Sequence, residues 1–332
     1  MNATRRSFIW SAVTCGVLLS TRATGQQPKR LPRVALVLGV VPPAEMAGAD
    51  PPHPFALAFV HALRDVGLVD GRNIVIERRS AEGRGIEHMK ELMQEVVSLN
   101  VDVIVTTGPG VSAAKNATDR IPIVGLVDNP LDTGLIDSLP RPGHNITGFG
   151  ESSPAIYGKQ LQLLKEAAPA ISRVAVVGWH QSAEPSRRSR VEAEAAARDL
   201  RLKLLWLGVD KPEEFDEAFA AIVRERGDAL IAIGTHVNYA HRRRIADFAL
   251  KQRMPSLGFA DAGMLMDYGA DVVEGFRHAA VFVKKILDGA KPAELPFEQP
   301  TKYLLTINLR TAKVLGITIP QSLLARAGEV IQ

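Results

Sequence analysis

Apolar residues follow two alternating rhythms along most of the chain. Short runs rich in Val, Ile and Leu occur at 33–38, 73–78, 101–106 and 121–124, and a second series follows at 173–178, 203–207, 229–233 and 256–259. Their near-continuous apolar character predicts strands covered on both faces, as in a parallel sheet. Between them, apolar positions recur every three or four residues: Phe55, Phe59, Val60 and Leu63 in one segment, Leu92, Val96 and Leu99 in another, Phe215, Phe219 and Ile222 in a third. That spacing predicts amphipathic helices. Residues 189–200, rich in Ala, Glu and Arg, predict an exposed helix, and 275–287 a further one.

Two successive sets of alternating strands and helices, similar in size, predict an α/β fold of two lobes, each a doubly wound parallel sheet. The join falls at 147–154, where Gly148, Gly150, Ser152, Ser153 and Pro154 interrupt the periodicity. Past Tyr268-Gly269, the 275–287 helix, a proline-rich link at 291–300 and a strand-like run at 302–307 are too short for a third domain. They predict a chain that recrosses between the lobes and builds a multi-stranded hinge. Lobe 1 is then 31–148 with about 272–301, and lobe 2 is 149–271 with about 302–332.

The N-terminus follows a different logic. Thr4-Arg5-Arg6-Ser7 leads into the apolar stretch 8–19 and then the small residues around Ala23-Thr24-Gly25, and no Asp or Glu precedes Glu45. Charged, apolar and small regions in that order predict a twin-arginine-like signal peptide over 1–25, cleaved near residue 25, and hence a periplasmic protein. The apolar part is too short to span a bilayer. The whole chain carries a formal charge of +4, but the leader holds Arg5, Arg6 and Arg22, so the remainder is 4 − 3 = +1. A balance so close to neutral gives no basis for nucleic-acid binding. Cys15, the one cysteine, also lies in the leader, which removes disulfides, thiolate nucleophiles and thiolate metal ligands from the expected mature chain.

Enzyme signatures are absent from the sequence: there is no G-x-S-x-G, no H-E-x-x-H and no Walker G-K-[ST], and Gly108-Pro109-Gly110 lacks the third glycine of a dinucleotide fingerprint. His180, His236 and His241 have no partners at metal-ligand spacing, so neither a metal nor another cofactor is expected. The expectation is a non-enzymatic binding protein, with a ligand-sensing protein of the same fold or an exported α/β enzyme as the alternatives.

Several long stretches carry a resemblance. They are Gly67-Leu68-Val69-Asp70-Gly71-Arg72-Asn73, Ala81-Glu82-Gly83, Val101-Asp102-Val103-Ile104-Val105, Leu139-Pro140-Arg141-Pro142-Gly143-His144-Asn145-Ile146-Thr147-Gly148, Gln299-Pro300-Thr301-Lys302-Tyr303 and Ile307-Asn308-Leu309-Arg310-Thr311-Ala312-Lys313. In these, over nearly its whole length, the chain resembles the bacterial ABC-transporter substrate-binding proteins related to the tryptophan/tyrosine-binding type. The resemblance implies a type I periplasmic binding-protein fold, a small-molecule ligand in the cleft between the lobes, and delivery to an inner-membrane ABC permease by a monomer. The stretches are mostly turns and seams, so they say little about the ligand. One departure borders the expected cleft: the loop 40–54 is long and contains Pro42, Pro43, Pro51, Pro52 and Pro54.

Candidate site residues come from a rule that needs no relatives. In open α/β sheets, ligands sit beyond the carboxyl ends of the strands, where loops lead into helix N-termini. After the third strand come Thr106, Thr107, Gly108, Pro109, Gly110, Val111 and Ser112. Gly108 fits a helix cap and Pro109 the first helical position, so the following amides either hold a ligand carboxylate or make an ordinary water-capped turn. Asp128 and Asn129 end the fourth strand; Asp128 either takes a ligand ammonium or only shapes the turn before Pro130. In the second lobe Trp179 and His180 follow one strand, Thr235, His236 and Asn238 another, and Asp261 a third, as stacking, hydrogen-bonding and ammonium-binding candidates. Tyr268, before the recrossing, either faces the cleft or packs. The arginine runs 187–190 and 241–244 read as solvated helix faces, with docking to a permease as the functional alternative.

Overall fold

The computed structural model describes residues 30–150, 155–178 and 185–332, the side chains of 185–188 excepted. The expected signal peptide therefore lies outside the described residues, as do Trp179 and His180. In the segment from Pro32 onward the first half runs β1 (Arg33–Leu38), α1 (Pro54–Asp65), β2 (Val75–Ser80), α2 (Gly85–Ser98), β3 (Val103–Thr107), α3 (Pro109–Ala117), β4 (Ile123–Leu126) and β5 (Ile146–Phe149). The second half runs α4 (Ile156–Ala167), β6 (Arg173–Val177), α5 (Pro185–Asp199), β7 (Lys203–Leu207), α6 (Phe215–Arg224), β8 (Ala229–Ala232), α7 (His236–Ala240), α8 (Arg242–Lys251), β9 (Ser256–Leu257) and β10 (Met266–Ala270). The chain closes with α9 (Val272–Leu287), β11 (Tyr303–Asn308), α10 (Leu309–Leu315), α11 (Gln321–Leu324) and β12 (Glu329–Ile331). No helix among the described residues is long and apolar enough to cross a membrane.

Two sheets result, each at the centre of a lobe. The first has the order β2-β1-β3-β4-β5 and is parallel throughout. The second has the order β12-β11-β10-β9-β8-β6-β7 and is parallel except that β11 runs antiparallel to β10. Strand residues alternate between helix layers, as a pleat covered on both faces requires. Val34, Leu36 and Val105 pack with α1 and α9 on one face of the first sheet, Ala35, Val37 and Ile104 with α2 and α3 on the other. Val174 and Ile231 face α4 and α5 in the second sheet, and Ala175 and Leu230 face α6 and α8.

The departures from the sequence reading have local causes. β2 starts at Val75, two residues later than expected, because Asn73 is spent on the preceding turn: its Oδ1 accepts from Val69 N at 2.7 Å and its Nδ2 donates to Gly67 O at 2.8 Å. The 147–154 seam contains a buried strand, β5, at its start, and the helix expected at 189 begins at Pro185. The 302–307 run, assigned to lobe 2, pairs inside the second sheet as β11. The crossing chain lies just before it, where Glu298 N donates to Gly148 O at 2.9 Å and Gly150 N to Glu298 O at 2.8 Å. After β10 the chain returns to the first sheet, since α9 lies on α1 and on β3, β4 and β5. Phe276 stacks on Phe55 there with ring centroids 5.2 Å apart.

Candidate functional site

Each sheet order reverses once beside its first strand, between β1 and β3 in the first lobe and between β6 and β8 in the second. Such reversals leave a crevice at the carboxyl ends of the strands. In the first lobe the crevice is flanked by Gly39, just past β1, and by the β3–α3 turn. Gly108 caps α3 with φ 48° and Pro109 takes the first helical position, as the sequence predicts. The residues around them divide by direction. Thr106 is fully buried, with Gly110 pressed against its Oγ1, so a Cβ at 110 would overlap that oxygen. Val111 fills the core and its amide already donates to Gly108 O at 3.0 Å, while Ser112 is exposed. Thr107 and Gly108 are the members that meet the other lobe.

They meet it through His236. Thr235 caps α7, its Oγ1 accepting from Asn238 N at 3.1 Å, and this turns His236 outward from its own sheet. His236 Nε2 and Thr107 Oγ1 lie 3.2 Å apart across the cleft. Burial drives its imidazole down to about 4 from an ordinary 6.5, so the ring is neutral near pH 7. Asn238 does different work from the ligand contact expected of it. It is fully buried, and its Nδ2 donates to Val177 O and Ile233 O, both at 2.9 Å, spanning the crevice of the second lobe.

Three further contacts cross between the lobes. Asn129 Nδ2 reaches Ser189 Oγ at 3.4 Å. Tyr157, on the first turn of α4, is pressed near Asp128, and burial together with that carboxylate pushes its phenol upward. His53, at the end of the proline-rich loop, accepts from Phe55 N through Nδ1 and reaches Tyr239 OH through Nε2, each at 3.4 Å. Arg242 lies over the Tyr239 ring, 4.4 Å from its centroid, and pairs with Asp261 at 3.5 Å. Asp261 is thus an exposed carboxylate that already has a cation. Tyr268 packs, with its ring 5.8 Å from that of Tyr303 in the second lobe's core.

The strand-end rule therefore located Thr107, Gly108, Asp128, Asn129 and His236 at the lobe interface, and it missed Gly39, His53, Tyr157 and Tyr239. Asp267, on β10, is the most perturbed acid. Burial, then the Asp261 carboxylate, push its carboxyl up to about 7 against a backbone hydrogen bond that lowers it. Arg190 and Arg244, one from each arginine run, are not simply solvated, whereas Arg243 is exposed and the side chains of Arg187 and Arg188 lie outside the described residues. Arg190 lies over Trp206 and pairs with Glu194, and Arg244 lies over Phe215 and pairs with Asp216. Among the described residues no group of three His, Cys, Asp or Glu could hold a metal ion.

Two parallel-sheet lobes that meet through side chains at the carboxyl ends of their strands define a two-lobed ligand-binding protein of the type I periplasmic kind. The profile described as "ABC transporter substrate binding protein" matches residues 56–331, and the chain belongs to that family. It is 25% identical over 266 residues to the tyrosine-binding protein of Clostridioides difficile (strain R20291), covering 78% of this chain and 75% of that one. A conserved domain protein from Vibrio cholerae O1 biovar El Tor superposes with a TM-score of 0.80 at 26% identity, over 91% of this chain and all of the other. An ABC domain from Streptococcus pneumonia solved in complex with L-Trp also gives 0.80, at 21% identity and over 91% of this chain and 100% of its own.

Proposed function

We propose that this protein is the exported, periplasmic binding component of an ABC importer, that it takes up an aromatic L-amino acid between its lobes, and that it delivers it unchanged to an inner-membrane permease as a monomer. The observation that carries the ligand class is the convergence of complementary groups on one cleft. A carboxylate, Asp128, stands two residues past the end of β4, and the neighbouring β3 end offers the cap of α3. An ammonium is held by the first and a carboxylate by helix-end amides of the second, the Thr107 hydroxyl being taken by His236. Tyr157, Phe55 and Tyr239 line the approach with aromatic surface. The tyrosine-binding and L-Trp-bound relatives support the same class.

Closure follows from the geometry. A ligand that touches only one lobe shifts nothing; one that touches both lobes favours the closed arrangement by its differential contacts. Asp128→Ala is expected to weaken the amino acid by about 10- to 100-fold, the range for losing a hydrogen bond to a charged group. Titration calorimetry of the variant checks this, and unchanged affinity would remove Asp128 from the ligand's ammonium.

The reading as a whole is tested by a thermal-shift panel of amino acids and aromatic carboxylates, followed by mass analysis of the released ligand. A ligand at 100 times its dissociation constant should add about 2.7 kcal/mol, a rise of roughly 5–10 °C. Recovery of the amino acid unchanged supports a binding protein; a chemically altered product would make the protein an enzyme.

A further inference from the structure

His236 has a seat in the opposite lobe that is built from glycine. A Cβ placed on Gly39 would stand 2.9 Å from the ring's Nδ1, 3.0 Å from Cε1 and 3.1 Å from Cγ, so that its three nearest neighbours all belong to that ring. Gly39 is not among the residues with positive φ, so its backbone does not itself demand glycine. A Cβ on Gly108 would stand 3.2 Å from the same Cε1 and 3.5 Å from Nε2. The ring thus enters the space between the ends of β1 and β3, where the first sheet reverses its order, and is tied there by the 3.2 Å contact with Thr107 Oγ1.

The helix that carries the ring is itself fixed. Asn238, two residues on, bridges the Val177 and Ile233 carbonyls in the corresponding reversal of the second sheet, and Gly178 lies so close that a Cβ there would overlap its amide nitrogen. One short helix therefore anchors one side chain in its own lobe and sends another into the partner lobe. The Nδ1 and Cε1 atoms of the ring thus lie against two stretches of backbone that carry no side chain, a placement for contact with protein.

We propose that His236 is an interlobe latch, a positioning residue whose ring, seated on Gly39 and Gly108 and bonded to Thr107, holds the two lobes closed independently of direct contact with ligand. The ring enters uncharged, since burial keeps it neutral near pH 7, and so needs no counter-charge in the seat. The latch belongs to the cleft of the proposed function, but its test reads closure with no ligand present, so its outcome does not depend on the ligand's identity.

Asn129 and Ser189, whose side chains touch across the cleft at 3.4 Å, serve as reporters. In the full chain with Cys15→Ser, the pair Asn129→Cys and Ser189→Cys should form a disulfide under mild oxidation at a rate set by the closed population, read by intact mass and by migration without reductant. Gly39→Ala in this background should slow the reaction about fivefold or more, the low end of overpacking costs. His236→Ala should also slow it, and adding Gly39→Ala to His236→Ala should then have no further effect, because the Cβ no longer has a ring to meet. Thr107→Val, which keeps the shape and removes the hydroxyl, should slow it about threefold. Equal rates in the parent, His236→Ala and Thr107→Val would overturn the latch. So would a Gly39→Ala effect that persists undiminished without the imidazole.

Discussion

Replacing Asp267 with asparagine is expected to stabilise the protein at pH 8 and to change little at pH 4. Burial, with the Asp261 carboxylate adding to it, raises the Asp267 carboxyl from an ordinary 3.8 to about 7 in the folded chain. The folded state therefore keeps a proton that the unfolded state gives up. The stabilising contribution of this group is complete below about 3.8, and it is lost progressively as pH rises toward about 7. A difference of roughly three pH units corresponds to about 4 kcal/mol at 1.36 kcal/mol per unit. An asparagine, neutral and of the same shape, escapes that loss. Urea unfolding of both proteins at the two pH values checks it; an equal destabilisation at pH 4 and pH 8 would show that the carboxylate is satisfied in the fold.

Gly148→Ala should act in the opposite direction, destabilising the protein, and should show no such pH dependence. Gly148 pairs with Gly125 between β5 and β4, and a Cβ on it would overlap the Gly125 carbonyl oxygen and crowd that residue's nitrogen. Both strands are buried at every position and α9 lies on both, so β5 cannot shift away from β4 without disturbing that packing. Gly148 O also accepts from Glu298 N in the crossing chain, so displacement of β5 would disturb the lobe junction as well. Overpacking of a buried site costs roughly 1–3 kcal/mol, and a clash with backbone, which has no rotamer to change, belongs at the top of that range or above. Thermal unfolding should show a fall of several degrees or a failure to accumulate folded protein. By contrast, Ala at Gly71, where space is open and only the φ of 75° is unfavourable, should cost about 1 kcal/mol.

Gly148 also shows where sequence pattern stops being readable. β1, β3, β4, β6 and β8 are legible because strands covered on both faces must be apolar at every position. β5 is equally buried, yet its sequence, Ile146-Thr147-Gly148-Phe149, reads as a break because a glycine needed for close strand contact looks the same as a glycine needed for a turn. Missing β5 had a consequence for the site. The rule that searches strand ends did not reach the helix after it, so Tyr157 on α4 went unnoticed. β10 carries Asp267, Tyr268 and Gly269 and has no apolar run to announce it.

The family-like stretches behave as seams, as their composition suggests. Asn145 Nδ2 donates to Thr118 O at 3.1 Å and Ile121 O at 2.9 Å, Thr147 Oγ1 donates to Leu295 O at 3.0 Å, and Asn308 both caps α10 and donates to Ala260 O. These side chains tie loops to loops, and none of them touches another residue across the cleft in these bonds. The contacts between the lobes lie instead in residues the sequence could propose only as types: His236 was legible as a polar residue at a strand end, but its glycine seat and its partner Thr107, 129 positions away, depend on the tertiary fold. His53 comes from the proline-rich loop, whose course is set by Arg78 donating to Met46 O and Gly48 O, contacts that no periodicity encodes.

Ligand class is the central claim, and it is tested most directly by titration calorimetry of the full chain with L-tyrosine and L-tryptophan against the same acids lacking the amino group. The account predicts saturable one-to-one binding of an aromatic L-amino acid, and a loss of about 10- to 100-fold when the ammonium is removed. Equal affinity for the desamino acids, or binding of neither aromatic amino acid while another class of ligand saturates the cleft, would contradict it.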